Sequence, residues 1–429
     1  MDHTPAATAL KEWRKNWTVT LAAGAGMSMS VIHVYGIGAF FSPIEDEFGW
    51  SRANIASGLT VLTVIGAVFH PLVGRAIDRF GPRPVAIPGL LLYWAGLSSL
   101  SFVNSSLFTW WLLWALAGIG ATCVKPTVWI AAVTSAFRVS RGVALAIALS
   151  GMAVSSSLLP IAATYSISRF GWHGALIALP AMWGVVVVPI VIWLFRSRSY
   201  QEPDIETKEQ PIPGGLSVRE GLRSAVFIKL AIVAIVATLI IPTTVVNLIP
   251  IVTSKGFGRE AAAGMAALIG IASIAGRLLS GFLLDRFDAR WIGAISLLLP
   301  MFAMALLLAG SGSAPMLMVA IFILGFALGA EVDVVVYLLS RFMGLKNFGF
   351  FMSVITTCWT IATGSGPVVA SAIYDATGSY DIFLVSCIPG AILSSFLLAT
   401  LGSPPSFETH EAPISGKHEL FDNKAAQAG

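Results

Sequence analysis

Four charged side chains, Lys125, Arg277, Glu331 and Asp333, stand inside long apolar runs of this chain. At mid-bilayer depth an ionised group costs at least about 2.5–3.5 kcal/mol, so each one needs a partner or a task. Arginine stays charged and presents a fork of donors matched to a carboxylate. Arg277 is therefore read as the group that holds a substrate anion. The competing reading is a structural ion pair with Glu331 or Asp333, and a pair that opens to admit an anion satisfies both. The two acids lie two residues apart in Leu324-Gly-Phe-Ala-Leu-Gly-Ala-Glu331-Val-Asp333. On a helix that spacing is about 200° of rotation, so they face different neighbours. Each is a candidate proton carrier; structural pairing with Arg277 or Arg341 is the alternative.

Lys125 precedes Pro126 and lies thirteen residues before Arg138, about 20 Å from the loop at 1.5 Å per residue. It could lend positive potential to a cavity, pair with an acid across a seam, or snorkel toward water. Arg277 lies eight residues before Asp285, about 12 Å from its loop by the same rise.

These residues need helices that cross a membrane. Of 429 residues, 56% are hydrophobic and 11% charged, with mean hydropathy +0.83, against about 25% charged in soluble domains. A span needs about 20 apolar residues, so twelve would use roughly 240, close to the apolar content of the chain. Spans are expected near 17–42, 54–73, 84–103, 107–136, 142–168, 173–195, 226–251, 259–281, 290–309, 315–340, 348–373 and 380–402. With the amino terminus inside, twenty of the 26 Lys and Arg fall in inward segments. Only Arg52, Arg169, Lys255 and Arg259 face outward. That bias places both termini in the cytoplasm of an integral membrane protein, expected in the cell's inner (plasma) membrane. The net charge of +4 is read as this topology signal, and no nucleic-acid partner is expected. Cys123, Cys358 and Cys387 lie in apolar runs with no disulfide or metal spacing. Lys11, Arg14 and Lys15 precede the first run, and no cleavable signal peptide is expected. Trp17, Trp50, Trp110, Trp111 and Trp172 sit near span ends, as interfacial anchors or as core aromatics.

The chain also repeats itself. Gly74-Arg-Ala-Ile-Asp78-Arg79-Phe80 and Gly281-Phe-Leu-Leu-Asp285-Arg286-Phe287 match at an offset of 207, as do Pro160 and Pro367. His70 and Arg277, both basic, share that offset. Two copies of a helical unit imply an all-α membrane protein of twelve transmembrane helices in two six-helix bundles related by a pseudo-two-fold axis. Substrate then sits at the seam. The expected divisions are bundles at 1–195 and 226–402, a polar cytoplasmic linker at 196–225 with Pro-Gly-Gly at 213–215, and a disordered tail at 403–429.

Gly74-Arg-Ala-Ile-Asp78-Arg79-Phe-Gly81-Pro-Arg83 resembles the signature between spans two and three of the major facilitator superfamily, with Asp285-Arg286 as its weaker second copy. The resemblance covers about residues 17–402. It implies gating roles for Asp78, Arg79, Arg83, Asp285 and Arg286, where that loop latches the two bundles. An aspartate near a helix amino terminus suits such a latch, because that end is positive. Within the superfamily the chain is most similar to the monocarboxylate porter group. The cues are Phe40-Phe41 followed by Phe48-Gly-Trp50-Ser51, Arg141-Gly-Val-Ala-Leu-Ala-Ile-Ala-Leu-Ser-Gly151, and Arg277 in span eight, where that group holds a carboxylate-gripping arginine. Ser273 replaces an aspartate and Tyr35 stands near a lysine of animal members. The resemblance adds Tyr35 and Asn247 to Lys125 and Arg277 as substrate-binding candidates. It adds His33 to Glu331 and Asp333 for proton coupling, although His33 could equally be a packing residue. His70 could serve a gate or the site. Met27, Met29, Trp129 and Trp359 could line the cavity or pack in the core.

The function expected is a secondary active transporter moving a small organic anion, a monocarboxylate, with protons by alternating access. An exporter of amphipathic compounds is the alternative, disfavoured because Trp114 stands where many proton-coupled exporters have an arginine before Gly118-Ile-Gly120. The chain offers no nucleophile elbow, phosphate loop or His-rich cluster, so neither enzyme activity nor a metal or other cofactor is expected. The expected partners are the organic anion, protons and membrane lipid, around a monomeric carrier.

Overall fold

The computed structural model describes residues 5–137, 140–195, 215–284, 286–344 and 346–405, without the side chains of residues 5–9, 78, 141 and 142. The described residues form helices and turns, with one isolated bridge between Gly215 and Gly344. The amino-terminal lobe holds α1 (Pro5–Ser30), α2 (Ile32–Tyr35), α3 (Phe41–Phe48), α4 (Arg52–Phe80), α5 (Pro82–Ser99), α6 (Leu107–Cys123), α7 (Pro126–Ala136) and α8 (Arg141–Leu194). The carboxyl-terminal lobe follows with α9 (Val218–Arg223), α10 (Ala225–Val246), α11 (Leu248–Ser254), α12 (Arg259–Ala266) and α13 (Leu268–Leu284). It ends with α14 (Ala289–Ala309), α15 (Ala314–Met343), α16 (Phe348–Thr377) and α17 (Asp381–Ala399).

Among the described residues, eleven helical stretches are long and apolar enough to cross a membrane. The twelfth crossing is hidden in α8, whose 54 residues are broken at Gly171 with φ 67°. Only glycine reaches that region without strain, so the break falls where the sequence supplies one. Twelve crossings return the chain to the end it started from, called here the terminal end. Large apolar side chains point outward all around, among them Phe102, Phe108, Val185 and Trp193. In a membrane that surface meets lipid, and only the polar interior needs protein partners.

Two expectations shift. Residues 215–225 of the expected linker are structured: α9 opens with a capping box in which Ser217 and Glu220 satisfy each other's backbone N–H. Leu216 N donates to Met343 O at 3.0 Å and Asn347 Nδ2 to Leu216 O at 2.8 Å, tying this stretch to the α15–α16 loop. Residues 196–214, and the tail from 406, lie outside the described residues. Of the tryptophans near span ends, Trp50, Trp110 and Trp172 are buried: Phe48 joins the rings of Trp172 and Trp50, and Trp50 meets Trp110 directly. Trp17 and Trp111 remain exposed.

Candidate transport site

The site starts at a helix crossing. A Cβ on Gly329 of α15 would collide with the Ser273 carbonyl oxygen of α13, and one on Gly276 with the Phe326 carbonyl oxygen. The two backbones therefore touch, as small residues allow between membrane helices. Arg277 follows Gly276, and Asp333 sits one turn beyond Gly329 on the same face. The outcome is an ion pair: Arg277 Nε lies 3.3 Å from Asp333 Oδ2, with the two side chains 31% and 33% exposed. The approach is close but poorly angled, and Arg277 Nε makes no hydrogen bond. A cation that is paired yet reachable can exchange one carboxylate for another.

Glu331 points elsewhere, as two residues' rotation requires. It is 2% exposed, and its Oε1 accepts from Thr238 Oγ1 of α10 at 2.8 Å. The structure thus separates the two acids: Asp333 faces the guanidinium and Glu331 is held inside its own lobe. Arg341 lies exposed in the last turn of α15 and pairs with neither among the described residues.

The first crossing is interrupted at Val31 and again at Gly36, leaving α2 as a short segment between the lobes. Its Tyr35 lines a small cavity with Ser156, Pro160, Val246 and Ile269. His33 lines a second with Thr63, Pro242, Thr363 and Pro367. The repeat prolines thus border two cavities, each walled by both lobes. His33 Nδ1 also hydrogen-bonds the buried Tyr93 hydroxyl at 2.7 Å. The charges of Arg277 and Glu331 act on Tyr35, and that of Lys125 on His33. Lys125 caps α7 at a break in the fourth crossing, half-buried beside Gly66.

Asn247 departs from the expected cavity-lining place. It is fully buried at the break between α10 and α11. Its Nδ2 donates to Thr243 O at 3.0 Å, and its Oδ1 accepts from the hydroxyls of Ser371 and Tyr380, both at 3.3 Å. Met27, Met29 and Trp129 are packed in the core. Trp359 is half-buried with its indole N–H unpartnered, and His70 has a buried, unpartnered Nδ1.

Asn247 belongs to a seal that sequence reading missed. At the end opposite the termini, Arg52 N and Ala53 N at the start of α4 donate to the two carboxylate oxygens of Asp375 in α16, at 2.9 and 2.8 Å. The Arg52 guanidinium is 3.7 Å from the centroid of the Tyr374 ring, donates to Tyr380 Oη at 3.3 Å and to Glu45 Oε2 at 3.0 Å. Tyr380 Oη in turn reaches Asn247. One turn pair further in, Thr60 Oγ1 donates to Gly364 O at 2.5 Å. Among the described residues, every hydrogen bond joining the lobes is donated by Arg52, Ala53 or Thr60 of α4. The one sequence cue was that Arg52 is a rare basic residue on the outward side.

Among the described residues the terminal end has no such clasp. Arg83 Nη2 donates to Ile192 O at 2.9 Å within its own lobe. Arg79 lies over Phe80 at 5.2 Å and Arg286 over Phe282 at 3.9 Å. The Asp78 side chain and all of Asp285 lie outside what the structure describes. A Cβ on Gly74, Gly281 or Gly349 would meet nothing within 4 Å. Among the described residues, hydrogen bonds therefore join the lobes at the far end and none joins them at the terminal end.

Comparison with known proteins agrees with this architecture. The family model described as Major Facilitator Superfamily matches residues 17–283 and 265–425. Bovine monocarboxylate transporter 13 is 25% identical over 94% of this chain and 92% of its own. Human monocarboxylate transporter 12 is 23% identical over 84% and 75%. An MFS-type transporter of Gibberella moniliformis is 26% identical over 90% of both chains. Among solved structures, a D-xylose-proton symporter superposes with TM-score 0.69 at 13% identity, over 90% of this chain and 98% of its own. A bacterial homologue of the human lysosomal transporter Spinster, inward-facing and unoccupied, gives 0.65 at 17% identity, over 89% and 93%. These two likenesses concern the fold. A two-lobed helical carrier, a family match across nearly the whole chain and relatives that are transporters rather than enzymes lead to one conclusion: this chain belongs to the Major Facilitator Superfamily and is a membrane transporter related to its monocarboxylate group.

Proposed function

We infer that the protein moves a small organic anion, a monocarboxylate, together with a proton by alternating access. The observation that carries this reading is the reachable Arg277–Asp333 pair at the α13–α15 crossing. An arriving carboxylate takes Asp333's place on the guanidinium, and Asp333, deprived of its cation in a water-poor site, takes up a proton. The site holds the same net charge empty and loaded, so the moving lobes carry no extra charge through the membrane. Tyr35 stands at the seam as a hydroxyl for the cargo. The names of the relatives support the substrate class, and the excess of Lys and Arg in inward segments supports cytoplasmic termini in the cell's inner membrane. On that topology the terminal end is the cytoplasmic one, and Asp78, Arg79, Arg83, Asp285 and Arg286 stand ready to latch it once the lobes rock.

The test is uptake of a labelled monocarboxylate into proteoliposomes under an inward proton gradient. Arg277→Leu abolishes uptake while the purified protein keeps its elution volume and cooperative melting. Normal transport by that variant, or efflux of amphipathic cations in place of acid uptake, overturns the proposal.

A further inference from the structure

Lys125 is a cation without a counter-charge. Among the described residues of the amino-terminal lobe the acids are Glu12, Glu45, Asp46, Glu47 and Asp78, all near one end of the molecule or the other. Glu45, Asp46 and Glu47 sit in α3 at the far end, and Asp78 lies in the last turn of α4. Glu12 receives the backbone N–H of Ser140 at 2.9 Å at the terminal end. The membrane-depth part of this lobe holds no carboxylate at all. The Lys125 ammonium makes no hydrogen bond or ion pair among the described residues. Its Nζ lies 3.4 Å from where a Cβ on Gly66 would be, one turn from His70 on α4. Its charge acts on His33 and His70, neither of which is an anion.

The other lobe contributes the second cation. Lys125 Nζ reaches Gly66, one turn along α4 from Thr63 in the wall of the His33 cavity, and Arg277 stands two turns along α13 from Ile269 in the wall of the Tyr35 cavity, so the two cations flank the short α2 segment from opposite lobes. Glu331 does not serve Lys125, being bonded to Thr238 inside the carboxyl-terminal lobe. A cargo with one carboxylate satisfies Arg277 and leaves Lys125 bare in a site where an unpaired charge is costly.

We propose that the cargo bridges the lobes with two anionic groups, one held by Arg277 and the other by Lys125, so that a short-chain dicarboxylate is bound in preference to the matching monoacid. This rests on the reading of Arg277 as the anion-binding group and, within small organic anions, puts a dicarboxylate in place of the monocarboxylate.

Thermal stabilisation of the purified full-length protein by matched acids decides it, using succinate against butyrate and glutarate against valerate. The diacid is expected to act at a concentration lower by about tenfold, the size of one charge-assisted hydrogen bond. Lys125→Gln removes that advantage and Lys125→Arg keeps it, with melting in buffer alone confirming that both variants fold. Equal potency of diacid and monoacid in the unmodified protein, or an undiminished advantage in Lys125→Gln, overturns the proposal. If monoacids stabilise in an Arg277-dependent way without any diacid preference, only the second anchor is lost. If no acid stabilises, or Arg277→Leu changes nothing, the anion-carrier reading fails with it.

Discussion

Arg277, Asp333 and Glu331 take different partners at the α13–α15 crossing, and the difference rests on direction. Asp333 touches the guanidinium at 3.3 Å and is a third exposed; Glu331 is buried against Thr238. Only the first acid can lose its partner to an incoming anion, so the proposed proton coupling is assigned to Asp333. Asp333→Asn is then expected to lower gradient-driven accumulation by at least about tenfold, the scale of one charge-assisted contact, while exchange of labelled for unlabelled acid across the membrane persists. Glu331→Gln keeps an amide oxygen to accept from Thr238 and retains gradient-driven uptake. The reverse pattern in the two variants would assign coupling to the buried acid instead. The four intramembrane charges were legible in the sequence because charge inside an apolar run is costly and therefore rare. Which acid meets Arg277 was not, since the angle between residues 331 and 333 says only that they differ. Asn247 shows the opposite failure. A polar residue on a membrane helix suggests a cavity, and here it is consumed by Thr243, Ser371 and Tyr380.

At the scale of elements, the site depends on how closely α13 and α15 approach. Gly276 and Gly329 each press against the other helix's backbone, whereas Gly281, on the same α13, would meet nothing with an added Cβ. Gly329→Ala is expected to wedge the helices apart, destabilising by about 1–3 kcal/mol as overpacked cores do, and to weaken acid binding by separating Arg277 from Asp333. Gly281→Ala gains up to about 1 kcal/mol of helix propensity with no steric cost. Melting temperature and acid-induced stabilisation, measured on both variants, check the contrast; equal effects would mean the crossing does not position the pair. The glycines visible in the sequence were those of the repeat, Gly74 and Gly281. They announced the symmetry but carry no contact. The contact glycines stand in ordinary apolar runs, where nothing local marks which face meets a neighbour. Span number was legible from hydropathy, including the crossing that α8 conceals, because Gly171 and the polar residues around it interrupt the apolar run.

For the whole molecule, the hydrogen bonds between the lobes link α4 to α16 and the start of α17 at the far end, and among the described residues none links them at the end carrying the termini. The proposed alternating access asks that this seal be breakable, and its composition fits that demand. Two backbone N–H groups of a helix start hold a carboxylate, and one arginine stacks on a tyrosine and reaches a second. A carboxylate at a helix amino terminus contributes about 1 kcal/mol, enough to hold a state and small enough to release it. Asp375→Ala should therefore move the population toward a far-end-open form by about fivefold. Spin labels at the exposed positions Asp46 and Ala376, one in each lobe beside the seal, read this directly. The unmodified seal gives one short distance, and Asp375→Ala adds a longer one whose share falls again when an acid locks the loaded carrier. Arg52→Leu loosens the same seal from the other side, and the double variant should add little beyond either alone, because both act on one interface. A distance distribution unmoved in all three would mean that the lobes are held at this end by the Thr60–Gly364 contact and the buried packing beneath it, leaving Arg52 and Asp375 as passengers of the closed state.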